Sequence, residues 1–238
     1  MHEVAVIAFW TALAGLAMPA GAAVASVERI RPRWLEQELR HFVIAFGGGV
    51  LLSAVALVLV PEGVRHLDSA SVALCFTAGG LAFFALDVFL SSRQQPAAQA
   101  AAMLADFVPE ALALGALFSA KPALAPLLAL LIALQNLPEG FNAFRELSAS
   151  AAFGTCKILS LFTAAALLGP FFGLAGYFWL GNHPSVLAVI MLFSAGGILY
   201  LVFQDIAPQS RLARHWAPPL GAVLGFLTGI LGQKLTGA

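Results

Sequence analysis

The chain of 238 residues is 61% hydrophobic and 10% charged, with a mean hydropathy of +0.91 and a formal net charge of zero. A soluble domain would be about a quarter charged, so this composition excludes an ordinary water-soluble protein. The zero net charge suggests no nucleic acid partner, and the two cysteines, both in apolar segments, indicate no disulfide framework. We therefore predict a polytopic membrane protein whose first partner is the lipid bilayer.

Eight stretches are apolar enough to be membrane-spanning helices, each of which needs about 20 residues. In chain order they cover residues 3–25, 41–62, 69–91, 98–119, 122–144, 155–181, 184–207 and 217–236. The segment AGAAVASVE offers small-residue cleavage sites, but the leading MHE lacks the Lys or Arg of a signal peptide, so the first stretch is predicted to remain a helix. No soluble domain or nucleotide-binding loop interrupts the series. The prediction is one all-α transmembrane transporter domain over residues 1–238.

Charges in the loops predict the orientation of these spans. With the N-terminus outside, the inner side holds nine basic residues and the outer side three, as the positive-inside rule requires. The inner nine are Arg29, Arg31, Arg33, Arg40, Arg93, Arg145, Lys157, Arg211 and Arg214, and the outer three are Arg65, Lys121 and Lys234. We expect a multi-pass protein of the cell inner membrane with both termini outside.

Spans two and seven resemble each other in sequence. FGGGVLLSAVALVLVPEG, which begins at Phe46, aligns without a gap with FSAGGILYLVFQDIAPQS, which begins at Phe193. Because the two spans cross the membrane in opposite directions, the similarity is typical of an inverted-topology repeat. It predicts that spans one to three are mirrored by spans six to eight, around a central pair formed by spans four and five.

The central pair carries two related motifs, ADFVPEALALG in span four and LQNLPEGFNAF in span five. Asp106 and Glu110 are four residues apart, as are Gln135 and Glu139, so each pair lies on one helix face. Each pair brackets a proline, which frees a backbone carbonyl one turn earlier. Three carboxylates within a membrane require compensation, and carboxylate and amide oxygens suit a divalent cation. Helix-to-helix hydrogen bonding without any ligand is the alternative reading.

At these residues the chain resembles the ZIP family (Zrt- and Irt-like proteins) of divalent-metal transporters. DFVPEA at 106–111 and QNLPEG at 135–140 are similar to the x-x-x-Pro-Glu-Gly motifs of the family's fourth and fifth helices, and residues 167–178 and 193–208 resemble its sixth and seventh. The resemblance implies eight helices with both termini outside and a metal centre between helices four and five. Because the family often forms dimers, it also leaves a homodimer open.

The resemblance carries ligands over residue by residue. A first site maps onto Asp106, Glu110, Gln135 and Glu139, with Asp106 where the family usually has His. A second maps onto Phe107, Asn136, Glu139 and Gly169, of which Phe107 and Gly169 have no ligating side chain. One site is therefore expected. The candidate metal residues are Asp106, Glu110, Gln135, Asn136 and Glu139.

These features predict a carrier that imports a divalent metal ion as its substrate, with zinc, manganese and iron left open. The loss of His makes the ligand set rich in oxygen, which favours manganese or ferrous iron, although the usual affinity order still favours zinc. The alternative is a ZIP-like carrier that has lost metal binding and moves protons or another small solute. An intramembrane hydrolase is not expected, because the sequence has no Gly-x-Gly-Asp, serine-elbow or His-Glu-x-x-His motif.

Several acidic residues near span ends allow two interpretations. Asp205 could be an exit ligand or an interfacial residue, and Asp87 could be structural. Glu62, with His66 and Asp68, could form an entrance funnel or solvated loop charge.

Overall fold

The computed structural model describes residues 2–28, 33–92, 98–149, 153–212 and 217–236, and across these the regular structure is helical, with no β-strand. Seven helices are long and apolar enough to cross a membrane, which fits a multi-pass membrane protein. The basic residues at positions 29, 31, 93 and 214, used above for orientation, lie outside the described ranges.

We number the helices α1 to α8. The first four are α1 (His2–Val27), α2 (Arg33–Ala54, Val55–Leu59 and Val60–Gly63 in succession), α3 (Ser69–Ser92) and α4 (Ala98–Ala120). The last four are α5 (Ala125–Ala149), α6 (Thr155–Ala166, Leu168–Ala175 and Gly176–Leu180), α7 (Pro184–Leu201, Val202–Ile206 and Ala207–Gln209) and α8 (Leu220–Thr236). Helix α8 is apolar but shorter than the other seven.

Helix ends differ from the predicted spans where the sequence carries polar residues or prolines. Helix α2 begins at Arg33 rather than at residue 41, because the amphipathic segment before the apolar run is itself helical. Helix α8 begins at Leu220 rather than at residue 217, since Pro218 and Pro219 have no N–H to continue a helical ladder. Asp68 caps the start of α3: its Oδ1 accepts a 2.7 Å hydrogen bond from the Ser71 N–H, which lowers the pKa of Asp68.

The helices pack as two groups. In the first, α1 packs against α5 and α6, and α4 packs against α5 and α6; in the second, α2 packs along α8, and α3 along α7. The groups meet where α2 contacts α5 and where α4 contacts α7. Helices α2, α4 and α5 are largely buried, whereas α3 is mostly exposed on the outside of the bundle. Helix α7 is buried to the same extent as α4, so the interior is formed by α2, α4, α5 and α7, of which α4 and α5 carry the two motifs.

Helices α2 and α7 share a local irregularity at matching positions. Val55–Leu59 and Val202–Ile206 are both π-helical turns, and each ends two residues before a proline. A proline removes one backbone donor and its ring crowds the carbonyl four residues earlier, so widening the preceding turn relieves the clash. In the gapless alignment of Phe46 with Phe193, the two π-turns coincide residue for residue.

Close helix approaches also occur in matching pairs. A Cβ on Gly49 of α2 would collide with the backbone of α8, and one on Gly225 of α8 would collide with that of α2. Correspondingly, Gly196 of α7 lies against the backbone of α3, and Gly79 of α3 against that of α7. Gly49 and Gly196 are aligned positions of the repeat. Only glycine permits backbones to approach so closely, so these glycines act in packing.

Candidate metal centre

The two motifs lie side by side at the centre of the bundle. Asp106 and Glu110 of α4 and Gln135 and Asn136 of α5 are at most 2% exposed, while Glu139 is partly buried. The four-residue spacing within each motif places its polar groups on one face, as the sequence predicted. The apolar sequence around them leaves these groups surrounded by hydrocarbon.

Both motif prolines lie within continuous helices. Helix α4 passes Pro109 and α5 passes Pro138 without interruption. Pro138 lies against Gly47 of α2, where any larger residue would meet its ring. Glycine at this position therefore allows α2 to pack against the motif of α5.

Gln135 joins the two motifs directly. Its Nε2 donates to both carboxylate oxygens of Glu110, each at 2.7 Å. Asp106 lies close enough to Glu110 and to Glu139 for the charges to interact. Of the predicted metal residues, four thus come together around α4 and α5: Asp106, Glu110, Gln135 and Glu139.

Two oxygens of this group have no hydrogen-bond donor in the described part of the chain. They are Asp106 Oδ1 and Gln135 Oε1, and both are fully buried. Buried polar atoms almost always have a partner, so two such oxygens in one site are unusual. Both are hydrogen-bond acceptors, so a donor such as water, a proton or a bound cation would satisfy them.

No basic residue neutralises the buried carboxylates. Asp106 and Glu110 take part in none of the ion pairs found among the described residues. Glu62 of α2, near the carboxyl-terminal end of α4, forms ion pairs instead. Its partners are Arg65 at 2.8 Å and Lys121 at 2.5 Å. Unpaired buried carboxylates are strongly unfavourable in a low dielectric, so the site requires an added positive charge.

The carboxylates alone do not form a ready-made metal site. Across the described ranges, no group of three His, Cys, Asp or Glu side chains is arranged to hold a metal ion. A cation at this position would need neutral oxygens as well, and Gln135 Oε1, which accepts no hydrogen bond within the described residues, is one candidate.

Asn136 has a structural contact. Its Nδ2 donates a 2.9 Å hydrogen bond to the Ala14 carbonyl of α1. The contact links two helices that are packed along most of their lengths. Asn136 therefore contributes to packing between α1 and α5, whatever its Oδ1 binds.

The position of the family's second site is filled by an aromatic ring. Phe107 is 1% exposed, and its Cζ lies 3.1 Å and 3.0 Å from where a Cβ on Gly15 or on Gly169 would stand. The ring therefore extends from α4 toward both α1 and α6. The single site expected from the sequence stays a prediction.

A small cleft extends from the site toward the end of α7. Glu139 and Asp205 line it together with four apolar residues, and it has about 40 Å³ of room for water. Asp205 is also close enough to Asp87 for their charges to interact, and the Tyr200 hydroxyl donates to Asp87 Oδ2 at 2.9 Å. Asp205 thus lines the same cleft as Glu139, while Asp87 has a hydrogen-bonded contact that fits a structural role.

Sequence reasoning overlooked a buried serine of α7. Ser194 is fully buried, and its Oγ is the third buried polar side-chain atom of the described chain without a hydrogen-bond partner. The available signal was a serine within the apolar run of residues 186–199, at the position aligned with Gly47.

Comparison with known proteins gives no match: no protein-family model matches this chain, and neither does any curated protein sequence.

Proposed function

We propose that this protein is a ZIP-like carrier that moves a divalent metal cation across the cell inner membrane, through a single oxygen-rich site between α4 and α5. The observation that carries the proposal is the pair of buried carboxylates, Asp106 and Glu110, that form no ion pair with any basic residue in the described part of the chain. One oxygen of the pair, Asp106 Oδ1, and the neighbouring Gln135 Oε1 accept no hydrogen bond within the described residues. A divalent cation supplies the missing charge and accepts electron density from all of these oxygens.

The two helix groups support an alternating-access cycle. In this proposal eight helices span the membrane, both termini lie outside, and the cation enters from outside. One group then moves relative to the other and opens the site inward. The matching π-turns and glycine contacts of α2 with α8 and of α7 with α3 support the inverted repeat on which such a motion depends.

The experiment is uptake into proteoliposomes across a panel of Zn²⁺, Mn²⁺ and Fe²⁺. Glu110→Gln keeps the shape of the side chain and removes its charge, so we expect uptake to fall at least ten-fold. Glu139→Ala should have a similar effect. Glu3→Gln, an exposed carboxylate whose partner is the Tyr177 hydroxyl, is the control and should transport like the wild type. Equal uptake by Glu110→Gln and wild type would rule out this site.

Two observations favour a second function, the transport of protons or another small solute without metal. The carboxylates are not arranged as a three-ligand metal site, and Glu110 is already bonded to an amide donor. Two measurements distinguish the two functions. A metal carrier should gain thermal stability with millimolar Mn²⁺ or Zn²⁺, by about 2.7 kcal/mol at 100 times the Kd. A proton carrier should show no metal-dependent shift and should dissipate a pH gradient in liposomes.

A further inference from the structure

Ser194 differs from the other two buried hydroxyl residues of the described helices. Thr11 and Ser53 are equally buried, and each bonds to a carbonyl of its own helix, at 2.8 Å to Ile7 and at 2.7 Å to Val50. Such back-bonding is the ordinary way to satisfy a hydroxyl in an apolar helix. Ser194 Oγ makes no such bond and finds no other partner in the described chain. A hydroxyl left in this state is available to a ligand.

Helix geometry indicates which way Ser194 points. Leu201 lies seven residues further along the regular part of α7, so the two side chains leave the helix within about 20° of each other. Leu201 lines the cleft that also contains Glu139 and Met103. Ser194 therefore faces the same side of α7, toward α4 and α5.

The same geometry indicates its depth. Seven residues of helix rise about 10 Å, so Ser194 lies that far from the level of Leu201. Met103 of α4 shares the cleft with Leu201, and Glu110 lies seven residues beyond Met103 on that helix. Because α4 and α7 are in contact and, in the proposed topology, run in opposite directions, these equal steps bring Ser194 to the level of Glu110.

We propose that Ser194 supplies a hydroxyl oxygen to the cation-binding site, as a ligand from the second helix group. Three buried oxygens without donors, from three helices, then serve one cation: Asp106 Oδ1, Gln135 Oε1 and Ser194 Oγ. The inference rests on the proposed metal transport and adds to it a determinant of metal choice. A neutral hydroxyl favours hard cations such as Mn²⁺, whereas soft thiol ligands favour Zn²⁺ and Cd²⁺.

The contribution from α7 also links binding to conformation. Asp106 and Gln135 belong to the first helix group, and Ser194 belongs to the second. The three ligands therefore surround the cation only while the two helix groups keep the arrangement seen in this structure. A relative shift between them removes one oxygen from the cation and weakens its binding, which assists release.

The test compares Ser194→Ala and Ser194→Cys with the wild type, by metal-dependent thermal shift and by uptake of Mn²⁺, Zn²⁺ and Cd²⁺. Loss of one neutral oxygen contact resembles the loss of one net hydrogen bond, so Ser194→Ala should raise the apparent Kd for Mn²⁺ about five-fold. Ser194→Cys should raise the preference for Cd²⁺ over Mn²⁺ by about ten-fold or more, a gain that a purely structural role would not produce. Ser53→Ala is the matched control, a buried serine with its own backbone partner, and should leave the metal preference unchanged.

The outcomes separate the two levels of the proposal. If the wild type binds and carries metal and both Ser194 variants keep its metal preference, the role of Ser194 is wrong and the carrier stands. If the wild type shows neither binding nor uptake, the proposed function fails and this inference fails with it. Because Ser194→Ala could lower affinity by weakening packing, the change of preference in Ser194→Cys is the deciding result.

Discussion

Asn136 shows how one residue can serve packing in a position that the resemblance assigns to metal binding. The sequence placed it among the candidate ligands, next to Gln135, and the structure finds its amide bonded to the Ala14 carbonyl. Adjacent helix positions point about 100° apart, so Gln135 and Asn136 face different neighbours. Gln135 faces α4 and Asn136 faces α1.

The contact of Asn136 leads to a prediction about stability. Asn136→Ala removes a buried hydrogen bond between helices, and we expect it to lower the free energy of unfolding by about 1 kcal/mol. Denaturant unfolding in detergent measures this. Asn142→Ala, at a less buried position of the same helix, is the control and should have a smaller effect. An unchanged stability in Asn136→Ala would show that the bond to Ala14 contributes nothing.

Among the helices, Arg145 forms ion pairs that link α5 with α1 and α2, at the end of the bundle predicted to face the cytoplasm. Arg145 of α5 pairs with Glu28, just after α1, at 2.9 Å, and with Glu36 of α2 at 2.7 Å. The bond to Glu36 joins the two helix groups, as the bond from Lys121 to Glu62 does at the opposite end. Motion between the groups must therefore break or rearrange these ion pairs.

Replacement of this arginine should lower stability in a salt-dependent way. In Arg145→Gln the two glutamates lose their shared cation, and because Arg145 is a third exposed the loss should not exceed about 1 kcal/mol. Melting temperatures in detergent at low salt and at 1 M salt measure the effect, and the difference from wild type should shrink at high salt. Arg40→Gln is the control, since Arg40 lines a cavity together with Glu28, Glu36 and Arg145 but forms no ion pair in the described residues. An effect independent of salt would contradict the electrostatic explanation.

At the scale of the molecule, the number of spans and their orientation remain predictions. Seven helices have the length and composition to cross a membrane, while the apolar α8 is shorter. If α8 spans as well, the two ends of the described chain lie on one side of the membrane, and the start of α6 lies on the other.

Cysteine labelling in sealed membrane vesicles tests this arrangement. In a background without Cys75 and Cys156, an impermeant thiol reagent added from outside should modify both His2→Cys and Thr236→Cys. The native Cys156, which is exposed at the start of α6, should react only from the inside when it is retained alone. Modification of His2→Cys and Thr236→Cys from opposite sides would show that α8 does not span.

Hydropathy alone determined the membrane class and the approximate spans, because the length of an apolar run is a local property set by the thickness of the bilayer. Spacing along the chain likewise placed Asp106 with Glu110 and Gln135 with Glu139, since the helical period is the same in every helix. Only the tertiary structure decided that Gln135 faces Glu110, that Asn136 faces α1 and that Phe107 packs against Gly15 and Gly169. These contacts join helices that are separate in sequence, and their geometry depends on which small residues let two backbones approach. No local pattern encodes that choice, and for the same reason the unpartnered hydroxyl of Ser194 became evident only in the packed bundle.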